Sequence, residues 1–115
     1  MSRDAGLFLL DIIQSCRYIL EFTDSLNYND FVNDEKTLSA LISKFEIIGE
    51  AAKRIPSDIK SDYDYIPWKS IAGMRDNLTH GYFGVDTHLV WQTIRKDVPK
   101  LMDDISKILD EIKKD

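Results

Sequence analysis

The chain has 115 residues, enough for one domain with one hydrophobic core and too few for two. Its 43% hydrophobic and 30% charged residues are globular proportions, and its net charge of −5 counts against a protein that binds nucleic acid along a broad basic face. No stretch approaches the ~18 apolar residues of a membrane span. The single cysteine, Cys16, excludes an internal disulfide, so we expect a cytoplasmic protein.

Apolar residues at helical spacing predict two long helices in the first half of the chain. The first helix covers about residues 4–22, and the polar stretch 23–33 predicts a loop with one short turn near residues 28–31. The second covers about residues 34–54 and ends before Pro56. The apolar series are Leu9, Ile13, Cys16 and Leu20 in the first helix, and Leu38, Leu41, Phe45, Ile48, Ala52 and Ile55 in the second.

The second half of the chain continues in helices. Pro67 predicts the first turn of a helix that carries Ile71, Met74 and Leu78 toward the core, and Asp86 is a good N-cap for a further helix. Pro99 should kink the last helix or mark its restart. The apolar series of that helix is Val98, Leu101, Ile105, Ile108 and Ile112. Without strand-like alternation, the sequence predicts a single all-α domain over residues 1–115, an up-and-down four-helix bundle with short additional helices.

One short segment combines three side chains that could take part in catalysis or binding, namely Arg75, His80 and Tyr82. Histidine can give or take a proton near neutral pH, and arginine presents a fork of donors shaped for phosphate oxygens. Together they suit phosphodiester chemistry that needs no metal or other cofactor. The alternative is a solvated helix end, with His80 as a cap and Arg75 in an ordinary ion pair.

Five residues separate Arg75 from His80, so an intact helix would turn them about 140° apart. Gly81 predicts that the helix ends near His80, which can swing the imidazole back toward Arg75. Alternatively, the two subunits of a dimer contribute these residues to a shared groove. Asp76 and Asn77 are predicted to support the pair, Asp76 by holding the imidazole tautomer if the helix persists; otherwise Asp76 is a solvated acid.

Glu46 and Glu50, four residues apart, could form a carboxylate pair for acid–base work or a metal. The cations Lys53 and Arg54 follow directly, which favours ordinary ion pairs along the helix. A metal site would also need further ligands at helical spacing, so we predict none.

Two tryptophans, Trp68 and Trp91, could stack on RNA bases, but their apolar neighbours favour core or interface packing. Residues 68–100 carry five cations and three anions, a net +2 in an otherwise acidic chain. If RNA binds, we therefore expect a short, local contact near the catalytic groups.

The pattern Arg-x-x-x-x-His-x-Tyr at residues 75–82 resembles the signature of the HepT-like toxins of the HEPN superfamily. This resemblance implies a helical, dimeric ribonuclease toxin. It also implies a partner, a small MNT-type nucleotidyltransferase antitoxin that adds AMP to the motif tyrosine, here Tyr82. Other stretches similar to the family are EIIGEAAKR at 46–54, IPW at 66–68, GYFGVD at 81–86, VW at 90–91 and DVPKL at 97–101.

Residues and resemblance together predict a metal-independent endoribonuclease that cuts single-stranded RNA or RNA ends. The ribose 2′-hydroxyl would attack phosphorus, His80 would act as general base or acid, and Arg75 would stabilise the developing charge. The rival hypothesis is a non-catalytic module that docks a nucleotidyltransferase or presents its substrate. A pure docking module does not require the Arg75/His80 pair.

Overall fold

In a computed structural model, which describes residues 3–79 and 84–114, the chain folds into helices. The described residues form no strand beyond one isolated antiparallel bridge between Thr79 and Val85, so the all-α prediction is confirmed. The helices are α1 Arg3–Thr23, α2 Tyr28–Val32, α3 Glu35–Arg54, α4 Ser57–Asp62, α5 Trp68–Ala72, α6 Met74–Leu78, α7 Thr87–Gln92 and α8 Val98–Lys114.

The long helices α1, α3 and α8 build the bundle core, because each buries the apolar stripe that its sequence predicts. Helix α1 packs against both α3 and α8, and α3 also packs against α5 and α6. The Asp34 side chain caps α3 by accepting a 2.9 Å hydrogen bond from the Thr37 N–H, which lowers the pKa of Asp34. The largest fully buried side chains include Leu9, Ile12, Phe31, Phe45, Ile48, Ile105 and Ile108.

The predicted helix after Pro67 is in fact two short helices, α5 and α6, that meet at Gly73. Gly73 adopts φ −96° and ψ 9°, and its N–H bonds to the carbonyls of Lys69 and Ile71. Glycine weakens a helix interior by about 1 kcal/mol relative to alanine, so a break there costs little. Ile71 and Leu78 are nevertheless buried as predicted.

The last helical region runs without a stop from α7 through a π-helical turn, Thr93–Asp97, into α8. The Val98 N–H bonds to the Thr93 carbonyl five residues earlier. Pro99 has no N–H and its ring would clash with the carbonyl of Arg95 in a regular helix, so the wider turn accommodates it. The distortion predicted from Pro99 is therefore present, but the helix does not restart.

Helix α4 has no counterpart in the sequence prediction. It has six residues, and Ile59 is its one buried side chain, so it has no apolar stripe to detect. Among the described helices, none has the length and apolar content needed to cross a membrane.

Candidate functional site

The position of the Arg75 helix depends on a close backbone approach at Gly49 of α3. A Cβ built on Gly49 would lie 2.9 Å from the Ala72 carbonyl oxygen at the end of α5. Real Cβ atoms essentially never come that close, so only glycine lets α3 and α5 lie together without a shift. This contact sets where α6, two residues further along the chain, meets α3.

Arg75 lies on α6 between two carboxylates from different elements. Its Nη1 is 3.4 Å from Oδ1 of Asp76, and its Nε is 4.0 Å from Oε2 of Glu46 on α3. The Arg75 side chain is 48% exposed, so its guanidinium is accessible to a ligand. Local sequence pattern does not predict the contact with Glu46, because it joins residues distant in the chain.

Helix α6 ends at Leu78, close to the predicted end, and the described residues on either side of segment 80–83 are paired. Thr79 is extended and pairs with Val85, and the Asp86 N–H donates a 3.1 Å hydrogen bond to the Leu78 carbonyl. Gly84 has φ 94°, in the left-handed region that favours glycine. These contacts place Thr79 beside Val85, next to the end of α6.

His80 and Tyr82 fall in segment 80–83, outside the described residues, so their predicted roles stay predictions. Asp76 is 82% exposed and forms its ion pair with Arg75. Helix α6 ends at Leu78 and Thr79 is extended, and the predicted contact of Asp76 with His80 lies outside the described residues and stays a prediction. Asn77 is exposed, and its N–H closes the first turn of α6 on the Gly73 carbonyl at 2.9 Å.

The two glutamates of α3, Glu46 and Glu50, have different partners. Glu50 forms the expected ion pair with Lys53, at 3.2 Å, whereas Glu46 faces Arg75. Within residues 3–79 and 84–114, no group of three or more His, Cys, Asp or Glu residues could hold a metal ion.

The tryptophans pack inside the bundle, as their neighbours indicate. Trp68 is 8% exposed and donates its indole N–H to the Tyr63 carbonyl at 3.1 Å. The half-buried Trp91 lies 5.0 Å from the ring of Phe31 and carries Arg95 above it at 4.3 Å. These contacts favour packing over base stacking.

Buried Cys16 and the cations near the motif add no second reactive centre. Burial raises the pKa of the Cys16 thiol to about 12, which keeps it protonated and unreactive. Arg95 donates to the Leu26 carbonyl at 2.9 Å, and Lys100 pairs with Asp104 at 2.9 Å. Both cations therefore have partners inside the protein, whereas Arg75 pairs only with exposed carboxylates among the described contacts.

Comparison with known proteins gives a consistent result across nearly the whole chain. A family model described as "Ribonuclease HepT-like" matches residues 12–108. A Thermococcus cleftensis protein named "Probable ribonuclease HepT" is 44% identical over 108 residues, which are 94% of this chain and 98% of that protein. No solved structure matches the chain.

Two further relatives carry names that describe candidate RNases. One, from Methanocaldococcus jannaschii, is 42% identical over 110 residues, which are 96% of this chain and 91% of the relative. The other, from Caldanaerobacter subterraneus subsp. tengcongensis, is 40% identical over 106 residues, or 92% of this chain and 95% of the relative. The similarity therefore covers almost the full length of each protein.

Proposed function

Because the chain belongs to the HepT-like ribonuclease family and is a ribonuclease, we propose that it cuts RNA without a metal, using Arg75 and His80. The observation that carries this proposal is the placement of Arg75. Its guanidinium is accessible on α6. Four residues further along the chain, Thr79 pairs with Val85, and His80 follows Thr79 in the sequence. Arg75 and His80 are therefore separated by one helical turn and one anchored residue, Thr79.

The reaction proposed is transesterification within the RNA. The 2′-oxygen attacks the adjacent phosphorus, the bond to the 5′-oxygen breaks, and a 2′,3′-cyclic phosphate and a 5′-hydroxyl form. His80 removes the proton from the 2′-hydroxyl or supplies one to the leaving 5′-oxygen. Arg75 stabilises the negative charge that grows on the phosphoryl oxygens in the transition state. The test is RNA cleavage by the wild type and by His80→Ala with EDTA present, argued fully in the Discussion.

We further propose that the protein is the toxin of a toxin–antitoxin pair. The partner is a nucleotidyltransferase antitoxin that transfers AMP to the Tyr82 hydroxyl. Two features support Tyr82 as the acceptor. It is two residues from His80 in the sequence, and the described residues that flank segment 80–83, Thr79 and Val85, are paired just after α6. An AMP phosphate there could compete with RNA for Arg75.

The outer face of α1 and α3 supports the proposal of a homodimer. Large apolar side chains on this face remain exposed, including Leu7 at 50%, Tyr18 at 47% and Ile47 at 39%. Exposed apolar surface of this kind marks interaction sites. Glu46 of α3 lies 4.0 Å from Arg75, which supports the proposal of a site at the edge of this face.

We expect the protein to sediment at micromolar concentration with twice the mass of its 13.3 kDa chain. Ile47→Glu should produce the monomer, because it replaces an exposed apolar side chain of this face with a charged one. Tyr65→Glu is the matched control, since Tyr65 is 60% exposed but lies between α4 and α5. A monomeric wild type would contradict the dimer. Dissociation by Tyr65→Glu but not by Ile47→Glu would show that the interface lies elsewhere.

A further inference from the structure

Two carboxylates contact the Arg75 guanidinium, and they differ in what holds them. Asp76 is the next residue on α6, so it moves with Arg75 and cannot fix it relative to the bundle. Glu46 belongs to α3, and its neighbours Phe45 and Ile48 are fully buried in the core. Of the two, only Glu46 connects the guanidinium to the rigid part of the protein.

The Glu46–Arg75 contact lies next to the close backbone approach between α3 and α5. Gly49 lies against Ala72, and Glu46 is three residues before Gly49 while Arg75 is three residues after Ala72. Glu46 therefore lies one helical turn from the close approach on α3, and Arg75 lies beyond the break at Gly73, on α6, with its Nε 4.0 Å from the Glu46 carboxylate. The packing of α3 against α5 and α6 therefore brings the two side chains within reach of each other.

We propose that Glu46 is a positioning residue that acts through Arg75; the inference rests on the proposed ribonuclease site. The Glu46 carboxylate faces Nε, on one edge of the guanidinium, at 4.0 Å. An arginine has five N–H donors in a rigid fork, so a carboxylate at Nε leaves terminal N–H groups for phosphate oxygens. Glu46 thereby orients the fork before RNA arrives.

The pair contributes to the reaction rather than to the stability of the fold. Both side chains are largely in water, with Arg75 48% and Glu46 62% exposed, and ion pairs of this kind contribute about 0–1 kcal/mol. The negative charge of Glu46 also repels RNA phosphate. Its removal should therefore weaken catalysis through Arg75 while leaving RNA binding equal or tighter, which a structural residue would not do.

The test is steady-state cleavage of a short RNA by Glu46→Gln, which keeps the shape of the side chain and removes its charge. We expect kcat to fall about tenfold, less than the ~10²-fold that a misplaced catalytic group can cost, while KM does not rise. The thermal midpoint should stay at the wild-type value. Glu50→Gln is the matched control, because Glu50 pairs with Lys53 on the same helix, and it should cleave like the wild type.

A second comparison shows whether Glu46 acts through Arg75. In an Arg75→Lys background, which keeps the charge but loses the planar fork, Glu46→Gln should lower kcat no further. Equal losses in both backgrounds, a wild-type kcat for Glu46→Gln, or a loss matched by Glu50→Gln would each overturn the inference. These outcomes are separate from failure of the catalytic pair, which is tested by His80→Ala in an otherwise wild-type protein.

Discussion

The His80→Ala protein is expected to cleave RNA ~10²–10⁴ times more slowly than the wild type, because removal of a general acid or base typically costs that much. Arg75→Ala should lose ~10²–10³-fold, the usual effect of deleting one group that stabilises charge in the transition state. The measurement is single-turnover cleavage of a defined RNA with EDTA present. In EDTA the wild type should retain its full rate.

The controls for this experiment separate chemistry from folding. Arg75 is half exposed and its ion pairs are with exposed acids, so Arg75→Ala should change stability by at most about 0.5 kcal/mol. Thermal melts of each variant check this. Lys107→Ala, which removes an exposed cation on α8 that pairs with Asp103, should cleave at the wild-type rate. A His80→Ala protein as fast as the wild type would eliminate the mechanism, and wild-type activity lost in EDTA would indicate a metal.

Tyr82→Phe is expected to free the ribonuclease from its antitoxin while leaving RNA cleavage intact. Phenylalanine keeps the ring but removes the hydroxyl that would accept AMP. Without the adduct, no AMP phosphate competes with RNA for Arg75. The measurement is intact-mass spectrometry after co-expression with the nucleotidyltransferase. The wild type should gain the mass of one or more AMP units, and Tyr82→Phe should gain none.

A growth assay completes this experiment. Cells that express both proteins should grow with wild-type toxin and be inhibited with Tyr82→Phe. Tyr63→Phe is a matched control, because it removes a phenol from another part of the surface, where Tyr63 bonds to Glu111. Neutralisation that persists in Tyr82→Phe would show that the antitoxin acts by another route, most simply by covering the surface around Arg75.

The sequence predicts those parts of the fold that depend on local pattern. The stripes of α1 and α3 have the 3.6-residue period over many turns, and their ends agree with the structure to within one residue. The N-cap at Asp86 is also confirmed, since its side chain accepts a 3.0 Å hydrogen bond from the Leu89 N–H. The all-α bundle follows from these elements together.

Features set by tertiary contacts could not be read from local pattern. Gly49 is an ordinary helical residue in the sequence, and its role becomes visible only when the Ala72 carbonyl is placed against it. Lys53 follows Glu46 by seven residues, which is too far for an i, i+4 pair. In the fold, Glu46 instead contacts Arg75. The predicted roles of His80 and Tyr82 rest on residue chemistry and family membership.

Cleavage of a chimeric oligonucleotide tests the central claim most directly. The substrate is an RNA already shown to be cut at one phosphodiester, compared with the same strand carrying a single 2′-deoxynucleotide 5′ to that bond. The account predicts that the wild type, in EDTA, cuts the RNA to a 2′,3′-cyclic phosphate and a 5′-hydroxyl and leaves the deoxy-substituted bond intact. Cleavage of the deoxy-substituted bond, or products with a 5′-phosphate, would contradict it, because either requires a nucleophile other than the ribose 2′-oxygen.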